Sequence, residues 1–204
     1  MQKVYKNWHG LKFNDLVMTI VSNALKELFV KAGSKAEKLI CAVPVNMRFP
    51  SKSLDDVKLS NNISSTKLEF PLFESIEDCT KMKKILSKNL SLKRLQANTI
   101  VLSLCRVLGN LYGSLMVQRF FRNVEVIISN TQGAREPVYF CDRKVLEVSA
   151  WGPTCYKAPI IIYISSYNLT TKVQITADPN MGIKLTDLIE TLNTQIDGLI
   201  EKYA

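Results

Sequence analysis

Histidine is almost missing from this chain: His9 is the only one among 204 residues. A mechanism that needs two histidines therefore cannot be complete within these residues. Close cysteine pairs are missing as well. Cys41, Cys79, Cys105, Cys141 and Cys155 are five in number and form no C-x-x-C pair. Disulfide frameworks and thiolate zinc sites need paired, closer spacing, so reduced thiols are expected, several of them filling a core. The first residues (MQKVYKNWHGLKF) contain no apolar h-region, so a secreted chain is not expected. Without a signal peptide, the glycosylation-like triplets at Asn62, Asn89 and Asn168 carry little weight. No run of about 18 uncharged apolar residues exists, which removes an obvious spanning helix. The G-x-S-x-G elbow, the P-loop, the Rossmann glycine pattern and H-E-x-x-H are all absent. No metal or bound cofactor is expected.

What is present is an ordinary globular balance, 47% hydrophobic and 22% charged residues. One domain over residues 1–204 with its own core follows from length and composition. The charge is +9, from 27 basic and 18 acidic residues. Lys81, Lys83, Lys84, Lys88, Lys93 and Arg94 fall in a stretch with no acid. A solvated helix face is the plain reading, and a lipid surface or a phosphorylated ligand is the functional one. Aromatics do not interleave these lysines, so nucleic acid is not expected as a partner.

Hydrophobic periodicity predicts an α/β fold: a mixed β-sheet flanked by helices. The first helix runs over 14–31, with Leu16, Val17, Ile20, Val21, Ala24, Leu25, Leu28 and Phe29 on one face. Asn14 or Asp15 caps it and Gly33 stops it. Strands are predicted at 39–45 (LICAVPV), at 62–70, where Thr66, Leu68 and Phe70 alternate with charged residues, and at 124–129 (VEVIIS). Short strands at 138–141 and 145–150 would turn at Asp142-Arg143. The pair 159–167 and 170–177 would form a hairpin at Asn168-Leu169, with Val173, Ile175 and Ala177 inward. A charged helix is predicted over 75–89. A more apolar one over 95–122 is interrupted near Gly109, Asn110 and Gly113. The closing helix carries Leu185, Leu188, Ile189, Leu192, Ile196, Leu199, Ile200 and Tyr203 on one face.

Three features could carry function. His9, in Trp8-His9-Gly10, has no acid beside it and reads as a surface or loop residue more readily than as a catalytic base. Residues 95–117 hold one charge, Arg106, near their middle. Spanning a membrane would bury it at a cost of at least about 2.5–3.5 kcal/mol. A core helix pair or an interfacial one avoids that cost, and the core is favoured. The segment 127–137 (IISNTQGAREP) leaves a buried strand and enters a Ser/Asn/Gly turn. Such a turn either lines a ligand crevice or is an ordinary connection.

The order of several short motifs resembles one family. They are Gly10 with Asn14-Asp15, Val43-Pro44-Val45 with Arg48, and Asn62-Ile63-Ser64, followed by Ser129-Asn130, Gly133, Arg135-Glu136-Pro137 with Tyr139, Ser166-Tyr167 and Ala177-Asp178. Together they resemble the C-terminal domain of the bacterial- and plant-type wax ester synthase/acyl-CoA:diacylglycerol acyltransferases. The resemblance implies one half of a chloramphenicol acetyltransferase-like two-domain fold, and transfer of a fatty acyl group from acyl-CoA to diacylglycerol or a long-chain alcohol. In that family a histidine of an HHxxxDG motif in the N-terminal half deprotonates the acceptor. That motif is absent here, so no catalytic residue is assigned within this chain, and the catalytic half is expected on another segment or a partner chain. The resemblance implies acyl-CoA as cosubstrate and a lipid acceptor. It also implies substrate-channel or CoA-side roles for Asn14, Asp15, Ser129, Asn130, Gly133 and Arg135. The family's Ser-Asn loop usually continues Val-Pro-Gly-Pro. Both prolines are missing here, so a looser loop is expected. A cytosol-facing protein, peripheral on the endoplasmic reticulum or another membrane, is the expected location. The alternative is a stand-alone non-catalytic module that binds lipid, CoA or a protein partner.

Overall fold

The computed structural model describes residues 10–48, 53, 62–107, 109–152, 158–182 and 184–203. His9 and Cys155, and the side chains of Cys105 and Arg106, lie outside the described set. In chain order the elements are α1 (Phe13–Lys31), β1 (Lys38–Asn46), β2 (Ile63–Pro71), α2 (Cys79–Asn89), α3 (Leu92–Val107), α4 (Gly109–Phe121) and β3 (Val126–Gln132). They continue with β4 (Tyr139–Phe140), β5 (Arg143–Lys144), β6 (Ile160–Tyr167), β7 (Thr170–Ala177) and α5 (Leu185–Tyr203). Among the described residues, five strands form a sheet in the order β2-β1-β3-β6-β7, and β4 and β5 pair separately. β1, β3 and β6 run parallel, while β2 and β7 are antiparallel edges. This is the mixed, helix-flanked α/β sheet that the periodicity predicts.

Strand alternation divides the core between two faces. Val126 and Ile128 of β3 and Ile160, Ile162 and Ile164 of β6 point into a large cluster with α1, α2 and α5. Ile127 and Ile161 point the other way, into a smaller cluster with Phe120, Phe121 and Tyr163. Central strands buried on both faces need such continuous Ile/Val runs. Helix α1 is buried from Asp15 through Leu25, because the sheet, α2 and α5 surround it. Its buried Ser22 is satisfied on both sides: the hydroxyl donates to Pro71 O at 2.7 Å and accepts from Phe73 N at 2.7 Å. Cys41 and Cys79 are buried free thiols, and burial pushes both of their pKa values upward, as expected of core fillers. Cys141 is exposed.

Edge strand β2 is covered by α3. Arg94 donates to Lys67 O at 3.3 Å, and Asn98, one turn later, donates to Ser65 O at 2.9 Å. One helical turn advances about 6 Å and two strand residues about 6.8 Å, so an antiparallel helix matches the outward carbonyls of the edge. Next to them, Thr66 is fully buried and its hydroxyl has no hydrogen-bond partner. Replacing that hydroxyl by a methyl group removes a desolvation cost with little change of shape. Thr66→Val is expected to stabilise the chain by about 1 kcal/mol, read as a raised urea midpoint with an unchanged slope.

Five expectations are corrected. Lys12, and neither Asn14 nor Asp15, is the N-cap of α1; Asp15 instead reaches back to accept from Lys12 N at 2.8 Å. The expected helix interruption does fall at Gly109, whose φ is +81°, but Asn110 and Gly113 continue the next helix and do not break it. Among the described residues the helix pair is largely outside the core: Ile100, Val101, Leu104, Val107, Leu115 and Met116 are exposed, and Leu95 of α3 is buried. The turn after β4 falls at Cys141-Asp142, where both residues have positive φ, and residues 145–150 form no strand. They pack across the outer face of β7, where Lys172 pairs with Glu147 and Thr176 donates to Gly152 O at 3.1 Å. In α5, Leu188, Leu192 and Leu199 are buried, whereas Leu185, Ile189 and Ile200 are exposed.

Candidate functional site

β1 and β3 pair only at Cys41 with Val126 and Ala42 with Ile127, and then part. β1 continues along β2, and β3 continues along β6. Pro44 tolerates this separation because it lacks an N–H: Ile40 on the same strand edge exchanges bonds with Glu125, and Pro44, four residues on, lies beyond the paired stretch. The separation opens at the carboxyl ends of parallel strands, where open α/β sheets place their ligands.

Two of the residues singled out above meet there. Asn130, on the far half of β3, donates from Nδ2 to Oδ1 of Asn14 at 2.9 Å, across 116 residues of sequence. Asn14 stands in the first turn of α1, so the contact ties the start of that helix to the end of the strand. Asp15 turns away. It is 4% exposed, and it accepts from Lys12 N, which makes it a helix-start residue. Ser129 is half-buried on β3, opposite Tyr163 of β6.

The segment expected as a loose turn is strand through Gln132, in register with Ser166. Backbone bonds continue past it: Gly133 N donates to Ser166 O at 2.9 Å, and Asn168 N to Ala134 O at 2.9 Å. Pairing with β6 supplies the rigidity that proline would otherwise give. Glycine is required at 133 for room, since a Cβ there would sit 2.2 Å from Ser166 O. Arg135 is exposed and its guanidinium faces the Gln132 side-chain oxygen at 3.3 Å, so it does not join the Asn14/Asn130 contact.

Tyr167 was not singled out for a role, yet it organises this end of the sheet. Its hydroxyl accepts from Val138 N at 2.9 Å and donates to Val145 O at 2.7 Å, pinning both ends of the β4/β5 arm. The arm exposes Phe140 (76%), Leu146 (84%) and Trp151 (81%). Residues 135–151 hold three basic and three acidic side chains. The sequence marks Tyr167 by the Ser166-Tyr167 motif of the resemblance and by its place at a strand end before the Asn168-Leu169 turn, but not by its partners, which lie 22 and 29 residues away.

Comparison with known proteins follows the same lines. A family model described as the WS/DGAT C-terminal domain matches residues 59–199. No curated protein sequence matches. Among solved structures, the wax ester synthase/diacylglycerol acyltransferase from Marinobacter aquaeolei VT8 superposes with a TM-score of 0.62 at 17% identity, covering 99% of this chain and 46% of that one. The epimerization domain of the third module of tyrocidine synthetase B gives 0.57 at 11% identity, covering 98% and 44%. The EpoB cyclization-docking bidomain from Sorangium cellulosum gives 0.56 at 9%, covering 97% and 38%. This chain thus spans about half the length of the solved proteins it matches, and its fold is one half of a chloramphenicol acetyltransferase-like two-domain architecture. With the family model matched over 59–199, a mixed sheet of the corresponding fold, and the Ser129-Asn130 strand end inside the matched region, the chain belongs to the WS/DGAT C-terminal domain family.

Proposed function

We propose that the chain is the C-terminal half of a lipid O-acyltransferase that transfers a fatty acyl group from acyl-CoA to diacylglycerol or a long-chain alcohol. The Asn14/Asn130 hydrogen bond carries this reading. It brings two family-motif residues together at the parting of β1 and β3, where a crevice wall is needed. Catalysis requires a base, and the HHxxxDG motif that would supply it lies on the complementary half. There a histidine takes the proton of the acceptor hydroxyl, and the oxygen attacks the thioester carbonyl. The C–O bond forms, the C–S bond breaks, and CoA departs as the thiol with that proton. The wall formed here orients the reactants, which can itself contribute several orders of magnitude to the rate.

The β4/β5 arm supports an incomplete site. It exposes large apolar side chains with equal numbers of both charges, the composition of a surface that meets protein. The test is reconstitution: the chain is mixed with an N-terminal half bearing HHxxxDG, then given acyl-CoA and either diacylglycerol or a long-chain alcohol. Ester formation is expected from the mixture and from neither part alone. No ester from a mixture that forms a stable complex overturns the reading.

A further inference from the structure

The net charge of this chain is confined to one stretch. Residues 79–124 hold nine lysines and arginines and no acid, and the rest of the chain holds 18 of each sign. The whole formal +9 therefore resides in α2, α3, α4 and Arg122 just after α4, and the last two helices form a hairpin with an unusual surface.

Both ends of that hairpin rest on Lys67 of β2. Arg94 in the first turn of α3 donates to Lys67 O at 3.3 Å, and the Lys67 ammonium donates to Phe120 O in the last turn of α4 at 3.3 Å. The connection at Gly109 is therefore the far end. Val101 of α3 faces Met116, Val117 and Phe120 of α4 across an apolar cavity of about 110 Å³. Continuing the α3 register, Asn98 lies at Ser65, and residue 102 reaches the start of β2 at Ile63.

Exposure follows the same axis. Lys93, Ala97, Ile100, Leu104 and Val107 recur at the spacing of one helical stripe, and all are exposed. Leu104 (55%) and Val107 (83%) lie at the tip, joined by Leu115 and Met116 of α4. Arg119 and Arg122 are exposed toward the base, on the stripe of Leu115. The hairpin thus has an apolar tip and a cationic base. No helix among the described residues is long and apolar enough to cross a membrane.

We infer that the α3/α4 hairpin is a membrane-docking device that lays its exposed apolar stripe, Ile100, Leu104 and Val107 with Leu115 and Met116, in the interface of an anionic lipid bilayer, with Lys93, Arg119 and Arg122 of the same stripes at the headgroups. Interfacial helices lie in the membrane plane with an apolar face buried and cations at the headgroups, and the exposed stripes of this hairpin carry both. The charge separates this surface from the β4/β5 arm: both expose apolar side chains, but only the hairpin lies in a segment without a single acid. An anionic bilayer rewards both features, because each cation near its surface adds about fivefold to binding. This inference stands apart from the acyltransferase reading, since lipid retention needs no activity.

The experiment is co-sedimentation of the full chain with large vesicles of phosphatidylcholine alone or with about 30% phosphatidylserine. The wild-type chain is expected to sediment with the anionic vesicles and to stay in solution with the zwitterionic ones. Leu104→Asn with Val107→Asn is expected to weaken retention at least tenfold, and Lys93→Gln with Arg119→Gln and Arg122→Gln more than tenfold, with circular-dichroism melts unchanged because all five sites are exposed. Equal retention on both vesicle types overturns the inference, as does a tip variant that binds like the wild type. Loss of vesicle binding when the HHxxxDG-bearing half is added would make the hairpin an interface between halves and also overturns it. So does a dimer in sedimentation velocity that the tip variant dissolves without losing lipid.

Discussion

Gly133→Ala is expected to lower stability by about 3 kcal/mol, which corresponds to a fall of about 6–12 °C in melting temperature for a domain of this size. The cause is space, not a left-handed backbone. A methyl group at this position would lie 2.2 Å from Ser166 O, the same carbonyl to which Gly133 N donates at 2.9 Å. A flexible side chain could move aside, but a backbone carbonyl in the β3/β6 register cannot. Relief requires the two strands to separate at Gln132 and Ser166 and breaks the Asn168 N to Ala134 O bond. Asn130 is three residues away on the same strand, so the variant should also disturb the Asn14/Asn130 contact. A thermal melt by circular dichroism decides the matter, and an unchanged midpoint would show that the strands part here without cost.

In the reconstituted enzyme, Asn14→Ala and Asn130→Ala are each expected to lower kcat/KM about 100-fold while shifting the melting temperature by no more than about 2 °C. The separation of the two effects follows from exposure. The hydrogen bond lies at the surface, so its net contribution to stability is at the low end of the usual range, about 0.5 kcal/mol. Its geometric effect is larger, because it fixes the start of α1 against the end of β3 beside the parted strands. The double variant should be no worse than either single one, since both remove the same contact. Full activity in either variant would remove the pair from the working site and leave it as a surface contact.

Much of the fold is legible from local pattern. The Ile-rich run of β6, the alternating β7 and the Asn168-Leu169 turn are read correctly, because backbone sterics and side-chain period decide them within a few residues. The mixed sheet follows from the same periods. The misreadings concern partners distant in sequence. Residues 95–117 look like core because they are apolar, yet apolarity does not say which side of the sheet is already filled. Phe120 and Phe121 take the available space, and Ile100, Leu104 and Val107 remain outside. Residues 129–134 look like a turn because Ser, Asn and Gly favour turns, yet β6 pairs with them and keeps them extended.

The candidate site shows the same division. The resemblance marked both Asn14 and Asn130, but nothing in 116 intervening residues says that they touch. Asp15, adjacent to Asn14 and equally marked, proves to be a helix-start residue because its carboxylate has an N–H within reach and burial favours that bond.

Composition and short-range period suffice to exclude two-histidine chemistry within these residues, to give a mixed α/β sheet, and to place the whole net charge in one stretch. That β1 and β3 part beside Asn14 and Asn130, and that part of the basic stretch folds into a hairpin with its apolar tip outward, emerges only once the chain is packed. Both depend on which strands pair and which faces fill first, and those choices are made by long-range packing, where residues far apart in the chain compete for the same space.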